Sequence, residues 1–127
     1  MQRRIFMEKK KILIVEDEED ILSTICFRLE AEGFACITSQ DGIDALAKAR
    51  QEKPDLILLD VMLPKMNGYK VSRLLKFDEK YQHIPIIMLT AKTQETDRIT
   101  GIETGADGYV TKPFEMEALL KLIRNYI

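Results

Sequence analysis

The chain has 127 residues, 46% of them hydrophobic and 31% charged, enough for one domain with its own core. Nineteen Lys+Arg against twenty-one Asp+Glu leave a net charge of -2, which argues against retention on nucleic acid by bulk charge and leaves only a local patch open. No apolar run nears the roughly 20 residues of a membrane span, and the apolar stretch near Met1 is too short for a signal peptide, so a cytoplasmic protein is expected.

Lys9-Lys10-Lys11 reads as a solvated lead-in, so residues 1–10 are taken as a lead-in and 11–127 as one domain. The first apolar run, Ile12–Val15, is apolar at every position, as are Leu56–Leu59 and Ile86–Leu89. Strands buried on both faces of a parallel sheet read this way. Two further runs, Ala35–Thr38 and Tyr109–Val110, complete five strands. Helical spacing fills the gaps. Ile21, Leu22, Ile25 and Leu29 form a first helix, with Glu18, Glu19 and Asp20 favouring its N-terminus and Gly33 its end. Asp41 is placed to cap a second helix through Ala45, Leu46 and Ala49, stopped before Pro54. Val71, Leu74 and Leu75 mark a third helix. Ile99 and Ile102 mark a fourth, ended near Gly105. Met116, Leu119, Leu120, Ile123 and Ile127 mark a fifth. The pattern is (βα)5, which predicts an α/β, doubly wound parallel sheet with right-handed crossovers.

Sites in open α/β sheets form beyond the C-terminal ends of the strands. Those ends carry Glu16 and Asp17, then Asp60, then Thr90, then Thr111 and Lys112. Three carboxylates meeting at one edge need a cation or raised pKa values. One lysine leaves the cluster at a formal charge of -2, and oxygen ligands on an open site suit Mg²⁺. Asp60 is then a candidate nucleophile toward phosphorus, with Lys112 and Thr90 holding phosphoryl oxygens. Taken singly, acids after strands are usually solvated loop residues; their joint placement carries the functional reading. His83 reads as a surface loop residue. Cys26 and Cys36 read as packed or half-packed thiols that fit neither a CxxC pair nor a zinc site.

These residues reach a family resemblance. Lys11-Ile12-Leu13-Ile14-Val15-Glu16-Asp17-Glu18 resembles the opening of response-regulator receiver domains of two-component signalling, the CheY-like fold. Asp55-Leu56-Ile57-Leu58-Leu59-Asp60-Val61-Met62-Leu63-Pro64 with Asn67-Gly68 resembles their phosphoacceptor strand and loop. Pro85–Ala91 and Gly105–Phe114 resemble the remaining two blocks. The resemblance implies the flavodoxin-like strand order 2-1-3-4-5 and Asp60 as the phosphorylated residue. It implies Mg²⁺ or Mn²⁺ held by Glu16, Asp17, Asp60 and the Met62 backbone carbonyl. Lys112 becomes the phosphate partner, Thr90 and Tyr109 the switch pair, and Lys112–Pro113 a cis bond. Met62 and Lys92 fall where residues overhang the site, and an apolar Met62 implies slow self-dephosphorylation.

The resemblance further implies a phosphoryl donor, either a sensor histidine kinase or a histidine phosphotransfer protein. The signal leaves through the fourth helix, fifth strand and fifth helix, toward an effector or a second copy, with no nucleic-acid or membrane contact by this domain. It implies no enzyme beyond catalysis of its own phosphorylation and dephosphorylation. A stand-alone receiver or a fragment is favoured over the receiver part of a winged-helix DNA-binding transcriptional regulator. Two rivals stand further off. An aspartyl-nucleophile phosphatase wants an acid where Met62 stands. A flavin or nucleotide module wants a glycine- or hydroxyl-rich loop where Glu16–Asp20 stand. On the fifth helix, Ala118, Leu122 and Tyr126 are spaced as an outward stripe and are expected to form an apolar docking strip beside Tyr109. Receivers of the winged-helix class pair charges here with the fourth helix across a symmetric dimer; Arg98 remains on the fourth helix, but its expected acidic partner is replaced by Ala118. Gly101, at a cost of roughly 1 kcal/mol relative to Ala, makes that fourth helix a marginally held element.

Overall fold

The structure, a computed structural model, describes residues 9–91 and 105–127. The predicted fourth helix, with Arg98, Ile99, Gly101 and Ile102, and the overhanging Lys92 lie outside the described residues. Five parallel strands run β1 (Lys11–Val15), β2 (Ala35–Ser39), β3 (Leu56–Asp60), β4 (Ile86–Ala91) and β5 (Gly108–Lys112), in the order β2-β1-β3-β4-β5. The described helices are α1 (Glu19–Ala31), α2 (Gly42–Glu52), α3 (Gly68–Lys76) and the C-terminal α4 (Met116–Tyr126).

Strand periodicity sorts the core into two layers. Leu13, Val15, Ile57, Leu59 and Met88 point to one face and pack under α2 and α3 through Ala45, Leu46, Ala49, Val71 and Leu75. Ile12, Ile14, Leu56, Leu58, Ile87 and Leu89 point to the other and pack under α1 and α4 through Leu22, Ile25, Leu29, Leu119, Leu120 and Ile123. The three wholly apolar runs are the three central strands. The edge strands β2 and β5 are half-buried along most of their length.

Local signals set the boundaries. The Asp41 carboxylate caps α2, accepting from Asp44 N at 2.7 Å, and Lys53 ends that helix in the left-handed region at φ 47°. Asn67 caps α3 by accepting from Lys70 N at 3.0 Å. Gly33 follows α1 at φ 98°, a conformation glycine adopts without strain. The Lys112–Pro113 bond is cis, as expected.

The inner face of α3 is Gly68, Val71, Ser72 and Leu75, an i, i+3, i+4, i+7 arc, and Leu74, which also marks this helix, falls outside that arc at 36% exposure. Two expectations are corrected. Lys11 is not solvated lead-in: it opens β1, and its Nζ donates to Glu52 O at 3.0 Å. The stripe on α4 is only partly free: Ala118 and Tyr126 are exposed. Leu122 is half-buried against the layer shared with α1, and the Tyr126 hydroxyl donates to Asp107 O at 2.8 Å. The reason is that α4 leans on α1 as well as on the sheet. Arg28 of α1 pairs with Glu117, and Arg124 of α4 pairs with Glu32. A helix with two neighbours buries a wider arc than one sheet-facing stripe.

Candidate functional site

Each site residue arrives at the same sheet edge because its strand ends there. Asp60 is the last residue of β3, and Thr90 and Lys112 lie within the final two residues of β4 and β5. The strands thus run one or two residues further than their apolar cores, and the polar residues belong to the ladder itself. Glu16 and Asp17 follow β1 directly, and Glu16 N donates to Ser39 O at 3.0 Å, extending the β1–β2 pairing by one residue.

The Glu16 side chain is fully buried, and the Asp60 carboxylate is nearly so, at 7% exposure. Asp17 is exposed. One oxygen from each of the three carboxylates lies within 4.8 Å of the others. Lys112 Nζ donates to Glu16 Oε1 at 2.8 Å and lies 3.4 Å from Asp60 Oδ2. The other Glu16 oxygen accepts from Glu18 N at 3.1 Å. Burial, and then the Glu16 charge, push the Asp60 carboxyl up to about 6, against the pull of Lys112 and the Met62 N–H. Burial draws the Lys112 ammonium down, but its bonds to Glu16 and Asp60 outweigh that and leave it above the usual lysine range.

The buried Thr90 Oγ1 has no hydrogen-bond partner among the described residues. A buried hydroxyl without a partner costs free energy, so this position suits a group that arrives from outside. Its neighbourhood is open to one: a cavity of about 790 Å³ is lined by Asp17, Asp60, Met62, Asn67, Ala91 and Lys112 among others. Met62 stands on its rim with 75% of its surface exposed. Tyr109 is half-buried against the layer under α2 and α3.

Two glycines brace the loop between Asp60 and Asn67. A Cβ on Gly68 would lie 2.2 Å from Asp60 O, and one on Gly42 would lie 1.8 Å from Met66 O. Gly68 N donates to Val61 O at 2.9 Å and Gly42 N to Pro64 O at 3.2 Å. The loop is therefore pinned between the starts of two helices, which fixes the backbone around Asp60. Gly42 carries no signal in the sequence, because the close approach is to a segment more than 20 residues away. Gly68 could be suspected from its place directly after the α3 cap.

The donor set at this edge is oxygen only, with net negative charge and one ammonium. It suits a small hard cation that keeps part of its water shell. Among the described residues, Glu16, Asp17 and Asp60 form the one acidic group with atoms close enough for a single ion.

The comparisons agree with this geometry. The family of response regulator receiver domains matches residues 12–124. The alkaline phosphatase synthesis transcriptional regulatory protein PhoP of Bacillus subtilis is 50% identical over 117 residues, which cover 90% of this chain and 48% of that protein. The phosphate regulon transcriptional regulatory protein PhoB of Escherichia coli K12 is 44% identical over 115 residues, covering 91% of this chain and 50% of that protein. The chain thus spans about half the length of these curated relatives. Among solved structures, the chemotaxis response regulator CheY4 of Vibrio cholerae superposes with a TM-score of 0.88 at 33% identity, over 94% of this chain and 100% of that one. With the sheet order, the acidic edge and a family match over nearly its whole length, the chain belongs to the response regulator receiver domain family of two-component signalling.

Proposed function

We propose that Asp60 accepts a phosphoryl group from a phosphohistidine on a partner protein, and that residues 11–127 form the unit that does so. The observation that carries this reading is the placement of the buried Asp60 carboxylate and the Thr90 hydroxyl, which has no partner among the described residues, on neighbouring strands beside the Lys112 ammonium. In the transfer, an Asp60 carboxylate oxygen bonds to phosphorus as the phosphorus–nitrogen bond to the histidine breaks, and the imidazole takes a proton. Lys112 and Thr90 bind the phosphoryl oxygens, which removes the Thr90 deficit. Asp60 must be ionised to attack, and its carboxyl, pushed up to about 6, remains ionised at neutral pH.

Receiver domains characteristically take Mg²⁺ at an acidic pocket, and the residues here fit it. Glu16, Asp17, Asp60 and the Met62 carbonyl would hold the ion, with Mn²⁺ as a substitute. Bound there, it would neutralise charge on the phosphoryl oxygens. Glu16 is already committed to Lys112 and Glu18 N, so Asp17 and Asp60 are the acids freer to turn toward an ion. Thr90 and Tyr109 are the proposed switch pair, and the partner is a histidine kinase or a histidine phosphotransfer protein. Apart from catalysis of its own phosphorylation and dephosphorylation, no turnover is proposed.

Intact-mass measurement after incubation with a small acyl phosphate and Mg²⁺ tests the reading. One phosphoryl mass is expected on the parent chain and none on Asp60→Ala. Full modification of Asp60→Ala would show that the acceptor lies elsewhere. A second reading places this receiver within a DNA-binding transcriptional regulator. It is favoured by the 50% identity with a regulator about twice as long, and the reading frame beyond the Ile127 codon decides it.

A further inference from the structure

The two cysteines sit far from the phosphoacceptor edge, on opposite sides of the α1–β2 turn. Cys26 is on α1, Glu30 lies one turn further along the same helix, and Cys36 is on β2. Gly33 reverses the chain between them. The turn brings the two sulfurs and a Glu30 carboxylate oxygen to within 4.8 Å of one another. The Cys36 thiol donates to Cys26 O at 3.7 Å, which holds its sulfur over the helix. Both cysteines are free thiols, half-buried against the α1–α4 layer. Glu30 is exposed and makes no ion pair among the described residues, while Arg28 and Glu32 beside it are taken up in pairs of their own. A groove of about 350 Å³ lined by Ser23, Cys26, Phe27, Glu30 and Thr38 gives access from solvent.

We propose that Cys26, Cys36 and Glu30 form a second metal site, for a thiophilic d¹⁰ cation of the Zn²⁺ and Cd²⁺ class. In a tetrahedral site with metal–sulfur bonds of about 2.3 Å, the ligand atoms stand about 3.8 Å apart. The three atoms must therefore draw together by about 1 Å at most, which side-chain rotation supplies. The donor set excludes Mg²⁺, which takes oxygen ligands, just as the all-oxygen edge at Asp60 disfavours a soft ion. Two sulfurs and a carboxylate leave the fourth position to water from the groove. As the two metal–sulfur bonds form, the two thiol protons pass to buffer. The ion would cross-link α1 to β2, two elements otherwise joined here by one turn, by packing and by the Cys36–Cys26 hydrogen bond.

The test is titration of the reduced full chain with Cd²⁺ under anaerobic conditions, read by thiolate-to-metal charge-transfer absorbance. One Cd²⁺ per chain is expected, with the intensity of two thiolates, unaffected by excess Mg²⁺. Cys26→Ser and Cys36→Ser should each halve the intensity, and Glu30→Gln should keep it while weakening affinity about tenfold. Asp60→Asn should bind Cd²⁺ like the parent. A thermal scan guards against misfolded variants: Cd²⁺ should raise the melting temperature of the parent and not of Cys26→Ser. Single-thiolate intensity in the parent or unchanged affinity in Glu30→Gln would each overturn the site.

Discussion

At the N-terminal end of β4, the Lys76 ammonium donates to Gln82 O at 2.7 Å, Ile84 O at 3.0 Å and Asp107 Oδ2 at 2.8 Å. The same Asp107 carboxylate accepts from Ile86 N at 2.8 Å. Along that end, Asp55 accepts from Lys11 N at 2.7 Å. At the C-terminal end of the same strands, two buried acids share one lysine, a third acid stands exposed beside them, and a buried hydroxyl has no partner among the described residues. Both ends bring polar groups to strand termini. One end closes its hydrogen bonds within the chain, and the other leaves charge and hydroxyl to be met by something that binds. Stability and function are thus separated along the strand axis, and substitutions at the two ends should behave oppositely.

The largest effect is expected at the closed end. Lys76 is 11% exposed, and its removal leaves the Gln82 and Ile84 carbonyl oxygens without their donor, while Asp107 keeps its bond from Ile86 N. Lys76→Met should cost about 3–4 kcal/mol in urea unfolding, because two carbonyl oxygens each lose a charge-assisted bond worth about 1.5–3 kcal/mol. Acyl-phosphate labelling of the folded fraction should be unchanged. If labelling fell in proportion to stability, the two ends would not be separable.

At the open end the sign reverses. The Asp60 carboxyl has a folded-state value of about 6, above the ordinary 3.8, so the folded chain holds the proton more tightly than the unfolded chain. Stability in chelator should therefore fall as pH rises from about 4 to about 6, and the loss should persist at neutral pH. Asp60→Asn should remove that loss, stabilising the metal-free chain by roughly 2–3 kcal/mol at pH 7 and flattening the pH dependence. The measurement is chemical unfolding in chelator at several pH values. Equal stability of parent and Asp60→Asn at pH 7 would mean that the buried charge is already compensated.

How much of this contrast the sequence reveals follows from the range of the interactions. The acidic edge is legible because each residue follows its own apolar run, so position along a strand alone places Glu16, Asp17, Asp60, Thr90 and Lys112 together. The central and edge strands separate for the same reason, by unbroken or shortened apolar runs. The closed edge is not legible. Nothing local distinguishes Lys76 from the other lysines, and its partner Asp107 is 31 residues away. The proximity of Cys26 and Cys36 depends on how the α1–β2 turn packs, so a spacing of ten residues reads as two unrelated thiols. Leu122 defeats the helical-wheel reading because the wheel does not know that α4 has α1 as a second neighbour. Local pattern finds groups carried by one element, and it misses pairs made by two.

A smaller effect separates the acids of the open edge. Asp17 is exposed and carries no buried charge, so Asp17→Ala should leave unfolding within about 0.5 kcal/mol of the parent. It should nevertheless weaken Mg²⁺ binding about tenfold or more, because Asp60 would keep one exposed acidic partner fewer. Titration of Mg²⁺ followed by calorimetry measures this. Undiminished affinity would remove Asp17 from the ion's shell and leave Glu16 to break its bond with Lys112.

The smallest expected effect concerns how long the phosphoryl group stays. Met62 lies on the rim of the cavity with three quarters of its surface exposed, so its side chain is not needed for packing. Its N–H supports the Asp60 carboxylate, and a side-chain substitution leaves that bond in place. Hydrolysis of an acyl phosphate needs a water aligned with the phosphorus opposite the carboxylate oxygen, and a thioether is too weak an acceptor to align one. An amide both donates and accepts. Met62→Asn should therefore speed loss of the phosphoryl group several-fold, equivalent to about 1 kcal/mol in the barrier, with unfolding stability unchanged. Decay is followed by intact mass after removal of the phosphodonor. An unaltered rate in Met62→Asn would place the control of lifetime in another residue of the rim.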